Sequence, residues 1–289
     1  MKPAPRFLKQ PKLFWANVRA ISEQVGYTAR GEGVVKVPTL DEMVLALERI
    51  DLKGSSLRND GGKSTKLGRN LSDYFEYRAD VLNRVVEPNL MDAEQAKAEF
   101  KRLVPSWQRM CPLPLNKQKG KKKAEAYFTC IINMIIEAHC EGHRCNFDPR
   151  GLTTVTKDGE PLRTLARRVD GGFPSTVNPI AVWEIKEYYC TTTFGSRVAD
   201  GVYESLLDGM ELEEIREELH IDVKHYLFAD AHYTWWDCGK SYLCRIVDML
   251  HMGYVDEVLF GREVMAELPR IVKEWVAIAK RLGVKRAET

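Results

Sequence analysis

The sequence predicts a mixed α/β protein with a mainly helical N-terminal part. Three observations carry this. Up to residue 103, apolar residues recur at helical spacing. From residue 152 onward, short runs rich in β-branched residues alternate with helical patterns, the grammar of a sheet flanked by helices. Between these regions, 111–123 holds two prolines and ends in Lys117-Gln118-Lys119-Gly120-Lys121-Lys122-Lys123, which reads as a basic linker. The expected organisation is therefore a helical domain at 1–110, a linker at 111–123 and an α/β domain at 124–289.

In the first part, Leu13, Phe14, Val18, Ile21 and Val25 mark a helix over 12–26, stopped by Gly26. Thr39 with Glu42 three residues later is a capping box for a second helix, whose apolar face is Met43, Val44, Leu47 and Ile50. Residues 53–70 are rich in Gly, Ser, Lys and Arg and read as a mobile basic loop. Two further helices are expected at 71–86 and 92–103. The helices at 12–26 and 39–50 lie too far apart for a tight helix-turn-helix.

In the second part, Phe128, Ile131, Ile132, Ile135 and Ile136 build a helix over 124–140. A strand at 152–156 meets the turn signal Asp158-Gly159 and returns over 164–173. A third strand at 180–186 follows Pro179. A helix at 196–207, a strand at 226–231, a helix at 242–252, a strand at 255–260 and a helix at 262–282 complete the order.

Composition bounds what such a chain can do. No apolar run approaches ~18 residues, which argues against a membrane span. Met1-Lys2-Pro3-Ala4-Pro5-Arg6 lacks the apolar stretch of a signal peptide. Seven scattered cysteines, an odd number, read as reduced thiols in a cytoplasm. Net charge is +2, but residues 1–123 carry 24 Lys and Arg against 14 Asp and Glu, so the remainder is acidic. A basic N-terminal part suggests a polyanionic partner, and an acidic remainder is compatible with metal chemistry.

The chemistry-bearing segment is Val169-Asp170-Gly171-Gly172, then Glu184-Ile185-Lys186. Glu184 and Lys186 at i and i+2 share one face of a strand. Asp170 belongs to the strand before it. Gathering two carboxylates and an ammonium among apolar strands is costly unless something uses them. A hard, oxygen-seeking cation such as magnesium would, with Asp170, Glu184 and the Ile185 carbonyl as ligands and Lys186 placed to orient or deprotonate a water.

These residues resemble the PD-(D/E)XK nuclease superfamily, over roughly 122–260, with Val169 in place of the motif's proline. The resemblance implies a restriction-endonuclease-like α-β-β-β-α-β core, Asp170, Glu184 and Lys186 as the catalytic set, and magnesium as cofactor. Many members add a carboxylate from the helix before the hairpin. On a helical wheel Glu125 lies at the edge of the apolar face and Glu137 on the polar side, so Glu125 is the preferred extra ligand. Size favours a type II-like restriction endonuclease acting on double-stranded DNA. A repair or structure-specific nuclease, or a non-catalytic DNA-binding protein on the same scaffold, are the alternatives. One such set cuts one strand, so double-strand cleavage implies a homodimer, with helices 196–207 and 262–282 as candidate interfaces. Lys63, Lys66 and Arg69 in the loop, Lys121 and Lys122 in the linker, and Ser196 with Arg197 at a helix start are the candidate DNA contacts.

Weaker signals have plainer readings. His139-Cys140-Glu141-Gly142-His143-Arg144-Cys145 matches no C-x2-C zinc spacing and reads as packing or surface. Tyr188 to Thr193 reads as loop and cap, and Tyr233-Thr234-Trp235-Trp236 as core.

Overall fold

A computed structural model describes residues 1–8, 10–28, 33–105, 111, 113–118, 121–189 and 195–286, with backbone alone at 116–118 and 121–123. The N-terminal region is helical: α1 (Pro5–Leu8), α2 (Lys12–Val25), α3 (Leu40–Glu48) and α4 (Lys66–Val81), which runs through a π turn into α5 (Glu87–Asn89), and then α6 (Ala93–Leu103). Gly26, at φ 81°, ends α2 in a backbone conformation that costs a side chain energy. Thr39 and Glu42 cap each other's backbone at 3.2 and 2.8 Å, as the sequence predicts. Phe14, Val18 and Ile21 from α2 pack with Met43, Leu47, Leu71 and Phe75 in one apolar cluster. Residues 66–70, predicted as loop, are instead the first turn of α4, capped by the Thr65 hydroxyl.

Two strands follow, β1 (Leu115–Gln118) and β2 (Lys121–Glu125), paired as an antiparallel hairpin where the sequence predicts a linker. Helix α7 (Tyr127–His139) leads to β3 (Asn146–Phe147), β4 (Thr154–Lys157), β5 (Glu160–Thr164), β6 (Gly171–Phe173) and β7 (Ala181–Glu187). Then come α8 (Ser196–Leu219), β8 (Lys224–Asp230), α9 (Lys240–Met252), β9 (Glu257–Phe260) and α10 (Glu263–Arg281).

The main sheet has the order β3-β6-β7-β8-β9. β3, β6 and β7 are antiparallel neighbours; β7, β8 and β9 run parallel. A parallel pair needs a crossover, and α8 and α9 provide the two. One face of the sheet packs on α7 and α10 through Trp183, Phe228 and Trp275. The other packs on α8, α9 and the end of α4 through Leu227, Val258 and Leu82. Helix α6 joins the first face, with Ala96 and Leu103 in the same cluster as α7. Among the described residues no helix is long and apolar enough to cross a membrane.

Two strand predictions are corrected. Residues 164–173 are not one returning strand: β5 ends at Thr164, and β6 begins at Gly171. The β4–β5 hairpin forms its own two-stranded sheet, and the main sheet takes β3 as its edge instead. The cause lies at β6, where a β-carbon on Gly171 would fall 2.0 Å from Trp183 Cε2. Gly171 lets the Trp183 ring cover the strand, and only three residues pair there. Helix α8 runs to Leu219 rather than stopping at 207. Gly209 is no terminator: its missing β-carbon lets the helix approach Tyr254, whose carbonyl oxygen would lie 2.4 Å away.

Candidate active site

Strand pairing brings the predicted trio together. Gly171 pairs with Trp183, so Asp170, one residue before β6, stands across from Glu184. The Asp170 amide donates to Glu184 Oε1 at 3.1 Å, and the Ile185 amide donates to Asp170 Oδ2 at 2.7 Å. Lys186 Nζ lies 2.7 Å from Glu184 Oε2. Asp170 thus sits at the strand entry rather than within a strand, while Glu184 and Lys186 are buried on one face of β7.

Three further charged residues complete this face. Arg167, three residues upstream of Asp170, reaches Glu184 at 3.0 Å, Asp208 at 2.6 Å and Glu204 at 3.3 Å. Glu204 also takes Lys186 at 3.0 Å. Glu204 and Asp208 lie on α8, one turn apart, so the crossover helix closes the cluster. Gly201 on the same helix lets its backbone settle against the lysine stem: a β-carbon there would lie 3.2 Å from Lys186 Cδ and 2.3 Å from Tyr188 Oη.

Two cations face four carboxylates, and the titration behaviour follows. Burial, reinforced by the Glu184 charge, pushes the Asp170 carboxyl up to about 6. Burial and Glu184 likewise push Asp208 up to about 7, and its Oδ1 has no hydrogen-bond partner. Burial also opposes ionisation of Glu184, but Lys186 and Arg167 outweigh it and hold that carboxyl below its usual range. Burial works against the Lys186 charge; Glu184 and Asp170 overcome it and keep the group an ammonium.

Asp170 also lines a cleft of about 320 Å³ with Ile185, Glu187, Thr129, Asn133 and Arg197. Glu187 follows Ile185 on the opposite pleat from Glu184 and Lys186. Its Oε2 accepts from the Thr129 amide at 3.0 Å and hydroxyl at 2.7 Å, while Oε1 is buried without a partner. Burial pushes this carboxyl up to about 7. Period-two reading of Glu184-Ile185-Lys186-Glu187 places Glu187 on that face, and nothing in the sequence marks Arg167 or Asp208.

The remaining predicted residues lie as follows. Glu125 is not on a helix: it ends β2, is exposed, and accepts a hydrogen bond from Tyr127. Glu137 takes the Cys111 amide at 3.1 Å. Lys63, Lys66 and Arg69 are exposed, and Arg69 donates to the Ser64 carbonyl. Lys121 and Lys122 lie on β2, and their side chains fall outside the described residues. Ser196 and Arg197 open α8, with the Arg197 guanidinium 5.6 Å from the Tyr188 ring centroid. Residues 190–193 of the segment predicted as loop and cap lie outside the described residues. Trp235 and Trp236 are buried and Tyr233 exposed. Cys140 and Cys145 are free thiols, and His143 is buried between them in sequence.

Whether this set suits a divalent cation depends on what its oxygens already do. Asp170 suits one: it faces a cleft, and its carboxyl is strained against Glu184. Both Glu184 oxygens are engaged, Oε1 by Arg167 and Oε2 by Lys186, so Glu184 becomes a ligand only when Arg167 turns aside. Among the described residues no three His, Cys, Asp or Glu side chains group as a metal site. A cation here would rest on Asp170, Glu184, the Ile185 carbonyl and water.

Residues 91–275 match the family model described as Domain of unknown function (DUF7687), and residues 1–85 match Domain of unknown function (DUF7690). No curated protein and no solved structure matches the chain.

Proposed function

We propose that the chain, which belongs to the DUF7687 family, is a magnesium-dependent DNA endonuclease of the PD-(D/E)XK type, acting at a specific duplex site. The observation that carries the reading is the contact of Asp170, at the entry to β6, with Glu184, which Lys186 of the same strand β7 also meets. The main sheet supports it: leaving aside the β4–β5 hairpin inserted between β3 and β6, a helix, three antiparallel strands, a crossover helix and a parallel strand follow in the α-β-β-β-α-β order of that superfamily.

Asp170, Glu184 and the Ile185 carbonyl would hold magnesium, whose chemistry there would be to acidify a bound water and offset charge on the phosphate. Lys186 stays an ammonium, so it orients the water or pairs with a phosphate oxygen rather than accepting a proton. Arg197, exposed beside the cleft, is placed to bind a neighbouring phosphate. Leu207 and Met210, exposed apolar side chains three positions apart on α8, support a homodimer through that helix. One observation favours a second reading, a non-catalytic DNA-binding protein: Arg167 and Lys186 already satisfy Glu184.

Digestion of plasmid and phage DNA with magnesium separates the readings. Discrete bands, abolished by EDTA and reduced about a hundredfold or more by Asp170→Asn, Glu184→Gln or Lys186→Ala, are the expected result. Smears or junction-only cutting would move the chain to a repair nuclease. DNA binding with no cutting under any divalent cation would leave the non-catalytic reading.

A further inference from the structure

The seam between the helical N-terminal region and the sheet-bearing region forms a half-open cavity of about 360 Å³ that shares no lining residue with the cleft. Arg19 and Glu23 reach it from α2, Tyr27 lies just beyond that helix, Tyr203 comes from α8, and Arg245 and Asp248 from α9. Each family model thus supplies part of the wall.

Its polar groups are unequal. Asp248, at the buried end, is already neutralised by Arg78 at 3.0 Å and accepts from the Tyr74 hydroxyl at 2.6 Å. Arg245 is clamped by tyrosines. It donates to Tyr203 Oη at 2.8 Å, and its guanidinium carbon lies 5.6 Å from the Tyr27 ring centroid and 5.3 Å from that of Tyr242. Tyr203 leaves 51% of its surface exposed. The cavity therefore offers the rings of Tyr27 and Tyr203, the guanidinium groups of Arg19 and Arg245, and the exposed carboxylate of Glu23.

A ligand answering all of these has a planar heterocycle, an anionic group and an amino donor. Rings recognise the first by stacking, guanidinium forks the second, and the carboxylate the third. The volume lies within the roughly 300–1,000 Å³ of small-molecule sites. We propose that this cavity binds a nucleotide, with its base against Tyr27 and Tyr203 and its phosphate on Arg245 and Arg19. The nucleotide is either free or one unstacked unit of a bound strand. The assignment stands on the cavity alone and does not depend on DNA cleavage.

The test uses the full chain. Isothermal titration with adenosine, guanosine, cytidine and thymidine monophosphates is compared with inorganic phosphate and adenosine. Separately, single strands carrying 5-iodouracil are photo-crosslinked and the adducts mapped. At least one monophosphate binds tenfold or more tightly than phosphate, and Tyr203→Ala or Arg245→Gln weakens it at least tenfold. Glu218→Ala, exposed on the same helix but outside the cavity, leaves it unchanged. If Arg245→Gln fails to fold, Arg245→Lys keeps the charge and loses the fork, and is expected to weaken binding as well. Crosslinks at Tyr27 or Tyr203 without binding of free monophosphate assign the site to a strand. Neither binding nor crosslinking, or binding that survives the substitutions at Tyr203 and Arg245, overturns the proposal.

Discussion

Among the described arginines drawn into ion pairs, Arg78 and Arg167 are the two most deeply set against the sheet-bearing region's carboxylates, and their clusters differ in balance. Arg78 is 2% exposed and meets one carboxylate, Asp248, with both of its oxygens at 3.0 Å. Ser22 accepts from the same guanidinium and Tyr74 donates to Asp248, while Arg78 Nε is buried without a partner and the guanidinium lies 4.9 Å from the Phe75 ring centroid. One charge answers one charge. Arg167 meets Glu184, Glu204 and Asp208, shares two of these surroundings with Lys186, and leaves Asp208 Oδ1 unpartnered. Here carboxylates outnumber cations. A balanced buried pair holds elements together, whereas an excess of one sign leaves work for a ligand or a reaction.

The largest effect is expected at the balanced pair. Arg78→Ala strands Asp248 in the core and costs about 3–5 kcal/mol of stability, read from urea unfolding. Magnesium should leave that loss unrepaired. A loss under about 1 kcal/mol would show that Asp248 finds water or another donor, and the contrast would fail.

Arg167→Ala comes next, at about 1–3 kcal/mol, because that side chain is 23% exposed and water can reach its partners. It also frees a Glu184 oxygen. Magnesium or manganese should therefore raise the melting temperature of this variant more than that of the unaltered protein. Equal melting shifts in both proteins would detach the cluster from any cation.

A subtler effect is a pH slope. The folded protein holds a proton on Asp208 up to about pH 7 that the unfolded chain releases near pH 4. The native state thus binds more protons in that window, and stability falls as pH rises through it, by at most about 1.4 kcal/mol per pH unit for one group. Asp208→Asn removes this share. Asp170, pushed up to about 6, leaves a slope of the same sign below that pH. Melting curves between pH 4 and 8 check both.

The smallest change in stability is expected at the surface. Replacing Lys63, Lys66 and Arg69 together with alanine should alter folding by under about 0.5 kcal/mol per site. If the loop touches DNA, the slope of log affinity against log salt falls by up to about 2.7, roughly 0.9 per phosphate contact. An unchanged slope in a filter-binding titration would leave these residues as solvated surface.

The sequence made visible whatever depends on neighbours along the chain. Thr39 and Glu42 form their cap because the spacing alone brings them together. Glu184 and Lys186 share a face because a strand has period two. Features set by distant partners were hidden. Arg167 reads as one of two adjacent arginines until α8 folds back and delivers Asp208. Glu125 suits a helical wheel, but pairing with Leu115 holds it in β2, and the helix starts only at Tyr127. β3 is two residues long and carries no pattern that could announce it.

The same two clusters also differ in how far apart along the chain their members lie. Arg167 and Asp208 are separated by 41 positions, Arg78 and Asp248 by 170. Closing the longer loop carries the larger entropic cost, so contacts of the first kind are expected early in folding and those of the second kind late. A late contact is absent from the transition state, and weakening it accelerates unfolding while hardly slowing refolding. Arg78→Ala should therefore raise the unfolding limb of a denaturant chevron and leave the refolding limb in place. The link between Arg78 and Asp248 would then act as a kinetic latch, governing how long the native molecule lasts more than how fast it forms.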